Sequence, residues 1–329
     1  MEQRVLGRTG QPVSVVGLGT WQLGADWGEV REEDAFAVLD AAVEAGVSFL
    51  DTADVYGDGR SEQLIGRFLR ERADQLPGLT VATKFGRRVE QLPEHYSLAN
   101  FRAWADRSRS NLGTERLDLV QLHCPPTAVF ADDEVFDGLD TLVSEGRIAA
   151  YGVSVETCAQ ALTAIARPGV ASVQIILNPF RLKPLDEVLP AARAAGVGVI
   201  ARVPLASGLL SGRYTKDTVF PQSDHRTYNR DGSAFDQGET FSGVDFATGV
   251  DAAVEFGELA PAGATPAQTA LRWIIQQPGV STVIPGARSP EQARANAAAA
   301  GLPPLPDTTL AAVRELYDRR LRDQVHTRW

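Results

Sequence analysis

Short apolar runs alternate with amphipathic stretches along nearly the whole chain, and this alternation limits the fold more than any other feature. The runs fall at residues 15–18, 47–50, 79–83, 117–122, 148–153, 172–177, 197–203 and 281–284. Each is too short for a helix and too continuously apolar for a strand with one wet face, so each reads as a strand buried on both faces. Between the runs, apolar residues recur at helical spacing, as in Ala35, Phe36, Val38, Leu39, Ala42 and Val43, or Leu98, Phe101, Ala105 and Leu112. Gly46, Gly113 and Gly146 stop such stretches, while Ser61, Ser97, Asp132 or Asp133, Thr265-Pro266 and Pro290 open them.

Helices that join consecutive buried strands make parallel crossovers. Eight such units predict an α/β fold, a (β/α)8 TIM barrel, in preference to an open doubly wound sheet. An open sheet would carry a glycine-rich dinucleotide fingerprint after its first strand, and Gly17-Leu18-Gly19 neither reaches a third glycine nor opens a helix. The chain is read as one domain over residues 1–329. Gly7-Arg8-Thr9-Gly10, flanked by extended residues, predicts an N-terminal β-hairpin. The one irregular stretch, 215–248, follows strand 7 as a long loop and is expected to be a lid.

A net charge of −10 gives no electrostatic footprint for nucleic acid or an anionic membrane. No apolar run reaches membrane-spanning length, and the N-terminus lacks the apolar core of a signal peptide. Two cysteines, Cys124 and Cys158, without metal-type spacing suggest a reducing compartment, hence a cytoplasmic protein. The four histidines are scattered, so no metal site is expected.

A barrel gathers all its strand C-termini at one face. Asp51 ends the second strand and shares its loop with Tyr56, where Gly57 permits a tight turn; Lys84 ends the third strand and His123 the fourth. These four groups suit one task. A phenol has a pKa near 10, and bringing it near 7 would take about 4 kcal/mol, much of which a buried ammonium can supply. Asp51 can hold Lys84, and His123 can donate to a substrate oxygen. The set could protonate an alkoxide forming from a carbonyl, or deprotonate an alcohol in reverse. Cys124, next to His123, is expected to alternate away from the site.

With these residues in place, the sequence resembles the aldo-keto reductase superfamily over almost its full length. The motifs are Gly17-Leu18-Gly19-Thr20-Trp21, Asp51 with Tyr56, Thr83-Lys84, Gln121-Leu122-His123, Gly152-Val153-Ser154, Gln174 with Asn178, the segment from Pro204 to Gly212, and Ile284 to Arg288. The resemblance implies NADPH-dependent carbonyl reduction, with Tyr56 as general acid, Lys84 and Asp51 tuning it and His123 orienting the carbonyl. It also implies a cofactor site. Ser154 and Gln174 would hold the nicotinamide carboxamide, with Gly19, Thr20 and Trp21 beside it. Pro204, Leu205, Ser207, Gly208 and Arg213 would wrap the pyrophosphate, largely through backbone N–H groups. Gly286, Arg288, Gln292 and Asn296 would meet the adenosine end.

The sequence departs from that pattern in three places. Val155 stands where many members have Asn or Arg. Arg202 stands where many place an aromatic against the nicotinamide, and its planar guanidinium could stack instead. Gly286 and Gln292 replace basic residues that grip the 2′-phosphate, so NADPH is expected with NADH as the alternative. Trp21, Trp27 and Phe85 are expected to wall the substrate pocket. Arg226, Tyr228 and Arg230 in the lid could read an anionic or polyhydroxylated substrate, and the C-terminal Trp329 is expected over the mouth. The substrate class is a small carbonyl or sugar-like compound, and monomer and homo-oligomer both stay open. Two other readings compete: a nicotinamide-sensing binding subunit with little turnover, and a metal-dependent barrel hydrolase.

Overall fold

The computed structural model describes residues 1–24, 30–76 and 78–329. Among them, strands Gln3–Val5 (β1) and Pro12–Ser14 (β2) form the antiparallel hairpin. Strands Leu18–Gly19 (β3), Phe49–Asp51 (β4), Thr80–Phe85 (β5), Leu119–His123 (β6), Tyr151–Ser154 (β7), Val170–Ile176 (β8), Gly198–Arg202 (β9) and Val280–Val283 (β10) form one parallel sheet in sequence order. Parallel bridges Val16 to Val283 and Gly19 to Gly286 close it into the expected barrel. All residues of β4 to β10 are buried, as their unbroken apolar patterns require.

The strands' period of two divides the barrel interior into layers. Phe49, Ala82, Leu119 and Ile200 pack inside with Leu6 and Val13 of the hairpin. Arg4 and Arg8 fasten that hairpin to backbone carbonyls at residues 167, 168, 170, 195, 275 and 280, where helices end and strands begin. Two residues further along the same strands stand Asp51, Lys84, Gln121 and Arg202. The floor is therefore sealed with hydrocarbon and the opposite rim is polar.

Most helix boundaries follow the predicted signals. Ser97, Asp132, Thr265 and Ser289 cap their helices with side-chain oxygens. Ser61 does not: the helix Arg60–Glu71 starts at left-handed Gly59. The hydroxyl of Ser61 instead accepts from Thr52 (2.9 Å) and reaches Thr20 O (3.0 Å), tying together loops after β3 and β4.

The 215–248 stretch is built structure rather than an open loop. It contains helical turns at His225–Tyr228, Gln237–Glu239 and Phe241–Gly243, and helix Phe246–Gly257 begins within it. Phe220, Phe241, Phe246 and Tyr214 pack together. Asn178 Nδ2 donates to Ser242 Oγ (2.7 Å) and anchors the segment to the barrel rim. Trp329 packs on the insert, donating from Nε1 to Asp236 (2.8 Å), with Arg181 4.2 Å from its ring. No helix among the described residues is long and apolar enough to cross a membrane.

Candidate active site

A cavity of about 580 Å³ opens on the polar rim. Asp51, Tyr56, His123, Gln174 and Arg202 lie along its wall, and Arg213, Arg226, Arg288, Gln292 and Asn296 line it too. Lys84 reaches the site from beneath. Its Nζ donates to Asp51 Oδ1 (2.5 Å), Thr52 O (2.9 Å) and Tyr56 OH (3.3 Å). The other Asp51 oxygen accepts from Gln174 Nε2 (2.8 Å) and Gln121 Nε2 (3.1 Å). The imidazole of His123 meets the Tyr56 ring edge-on at 5.9 Å between centroids. The turn carrying Tyr56 needs Gly57: at φ +58, an added Cβ would lie 2.0 Å from Gly24 O.

Burial and charge set the protonation states. Burial opposes the Lys84 ammonium, but the Asp51 carboxylate and Tyr56 outweigh it and hold the lysine above its ordinary range. Burial pushes the Tyr56 phenol upward, and Lys84 offsets this only in part. The expectation of a phenol brought down toward 7 is therefore corrected: the resting group is neutral Tyr–OH, a proton donor. Burial, aided by Arg87, Lys84 and Arg202, lowers His123 well below the usual histidine range, so its imidazole is neutral. Its Nδ1 has no hydrogen-bond partner among the described residues.

Other expected residues fall variously. Gly19, Thr20, Trp21, Pro204, Leu205, Ser207, Gly208 and Gly286 line the cavity. Ser154 is buried off the lining, 3.3 Å from Cys124 Sγ. Phe85 does not wall the cavity. The strand alternation that turns Lys84 inward turns Phe85 outward, onto Phe101 and Trp104. Trp27 lies outside the described residues. Cys124 is not on the cavity lining, but with a left-handed backbone (φ 49°) one residue past β6 it holds its Sγ 3.6 Å from Arg202, which is. In the 204–208 loop, the N–H groups of Ala206 and Gly208 are donated to Val203 O and Leu205 O, so these two are committed within the loop. Arg226 lines the cavity and pairs with Asp224 (2.5 Å), whereas Arg230 lies over Phe246 and Tyr228 is partly exposed.

Sequence reasoning missed a largely buried ionic cluster. Arg87 and Arg202 each contact both Glu156 and Glu239. Arg87 and Glu156 stand two residues past β5 and β7, so the strand-end argument that found Lys84 could have found them. Glu239, in the insert, gave no such signal. Cys124, Glu156 and Glu239 place ligand atoms within 4.8 Å of one another, but the two guanidiniums already balance the charge a cation would meet.

Fold and rim together define a (β/α)8-barrel oxidoreductase. The model of the Aldo/keto reductase family matches residues 15–318. The chain is 30% identical over 300 residues to aldo-keto reductase YhdN of Bacillus subtilis, covering 90% of this chain and 87% of that protein. Among solved structures, glycerol dehydrogenase AKR11B4 from Gluconobacter oxydans superposes with a TM-score of 0.78 at 30% identity, covering 97% and 95% of the two chains. An aldo/keto reductase from Klebsiella pneumoniae, in complex with NADP and acetate, superposes with a TM-score of 0.70 at 25% identity, covering 96% of each. The chain belongs to the aldo/keto reductase family.

Proposed function

We propose that this protein is an NADPH-dependent carbonyl reductase that converts small aldehydes or ketones, sugar-like ones included, into alcohols and runs in reverse. One observation carries the reading: Lys84 bridges Asp51 and Tyr56 beside a cavity that also bears Arg213, Arg226 and Arg288. Guanidiniums together with the N-terminus of helix Pro290–Ala298 make a suitable bed for phosphates. The cofactor complex of the Klebsiella relative supports NADP(H), with NADH as the alternative.

The bound dihydronicotinamide supplies a hydride to the carbonyl carbon. Tyr56 donates its hydroxyl proton to the carbonyl oxygen as negative charge develops there. Lys84 stabilises the phenolate left behind, and Asp51 keeps Lys84 charged and in place. Neutral His123 turns a ring N–H to the same oxygen, fixing the carbonyl's orientation. In the oxidative direction, the Tyr56 phenolate takes the alcohol proton.

A panel of aldehydes and ketones, followed by loss of NADPH absorbance, tests the proposal. Turnover of at least one compound is expected. Tight NADPH binding with no turnover across the panel would favour the cofactor-sensing reading, and activity lost to chelators would favour the metal-dependent one.

A further inference from the structure

Four buried or half-buried side chains from four parts of the chain close into a ring beside Tyr56 and His123. Arg87 Nη2 lies 3.0 Å from Glu156 and 2.7 Å from Glu239. Arg202 Nη2 lies 2.8 Å from Glu156, and its Nη1 lies 3.3 Å from Glu239. The two carboxylates also face each other, with oxygens within 4.8 Å. Arg202 and Glu239 lie on the cavity wall with Tyr56 and His123. Any ring that passes a hydride to a carbonyl held by Tyr56 must enter that chamber, so it comes within electrostatic range of the four charges. With both carboxylates ionised, the ring of side chains is neutral. With one proton added it carries a single positive charge.

Resting on the reading of this cavity as a nicotinamide site, we infer that the Arg87–Glu156–Arg202–Glu239 ring discriminates between the oxidised and reduced cofactor by charge, and that uptake of one proton by its carboxylate pair sharpens the discrimination. Oxidation makes the nicotinamide cationic, so a positive wall weakens binding of the oxidised form while leaving the neutral reduced ring nearly unaffected. Burial, reinforced by Glu239, raises Glu156 to about 7 against the pull of Arg202 and Arg87. The other groups near it are Arg181, which donates to the Glu156 backbone carbonyl at 2.9 Å, and Cys124, whose thiol burial pushes up to about 12 and so keeps neutral. Neither changes charge between pH 5.5 and 8.5, so the carboxylate pair is the member that titrates. Burial opposes the charge of Glu239 as well, but Arg87 and Arg202 hold that carboxyl low; one proton shared by the pair leaves the ring with a single positive charge whichever carboxyl carries it.

The test measures dissociation constants of the full-length protein for NADPH, by fluorescence titration, and for NADP+, by competition, from pH 5.5 to 8.5. Phosphate titration is common to both ligands and cancels in their ratio. The NADP+ to NADPH ratio of dissociation constants is expected to rise about tenfold as pH falls through 7. Glu156→Gln, which fixes that side chain uncharged, should hold the ratio near its acidic value at every pH. A wild-type ratio that does not change with pH overturns the inference, as does a folded Glu156→Gln variant with the wild-type slope. Should Glu156→Gln fail to fold, the wild-type titration still decides. Failure of both cofactors to bind at any pH would remove the nicotinamide reading itself, and this inference with it.

Discussion

The Gln174 side-chain amide donates to Asp51 at 2.8 Å, on the carboxylate oxygen opposite the one that holds Lys84. The glutamine nitrogen is thereby committed inside the barrel, leaving only its carbonyl oxygen to offer a ligand. Gln174→Leu is expected to free Asp51 to rotate, since one buried hydrogen bond to a charged group contributes about 1.5–3 kcal/mol. Steady-state kinetics should show kcat reduced roughly 10- to 100-fold. Unchanged kcat would show that Gln121 alone orients Asp51.

Lys84→Met should damage both stability and turnover. It strands the Asp51 carboxylate, 2% exposed, without its ammonium. Breaking a buried pair in this way costs about 3–5 kcal/mol. Denaturant unfolding should report that loss, and residual activity should fall by at least about 100-fold.

His123 gives a pH dependence of stability with a definite sign. Its folded pKa is depressed, so the unfolded chain binds the proton more readily. The stability it contributes is present above the unfolded value, about 6.5, and is lost as pH falls below it. At pH 5.5 that loss approaches about 1.4 kcal/mol. Urea midpoints at pH 7.5 and 5.5 should therefore separate further for the wild type than for His123→Gln.

Arg288 lines the cavity and precedes the capped helix Pro290–Ala298. Arg288→Ala should raise the dissociation constant for NADPH by about 10- to 100-fold, and should affect NADH less, with kcat changed little. Equal weakening of both cofactors would move the 2′-phosphate contact to Arg213 or Arg226.

Much of this was legible in the chain. The barrel follows from eight buried apolar runs joined by helices, without the glycine fingerprint an open sheet would carry, and strand ends gather Asp51, Lys84 and His123 because parallel strands all point one way. Alternation also excluded Phe85 from the cavity, but proximity to Lys84 in sequence hid this. Cys124 lies one residue past β6 with a left-handed backbone, invisible in the residue types, so its contact with Arg202 could not be read from alternation. Glu239 could not be found, since its place depends on how the insert folds back between Arg87 and Arg202. Nor could the net direction of the Tyr56 shift, which is set by how deeply the phenol is buried and not by its neighbours' identity.

The central claim is that Tyr56 hands over the proton while its neighbours only prepare it. Tyr56→Phe, assayed for NADPH affinity and for turnover of a carbonyl the wild type reduces, tests this directly. The expected result is an NADPH dissociation constant within about twofold of wild type and kcat lower by roughly 100- to 10,000-fold. Turnover at the wild-type rate would contradict it.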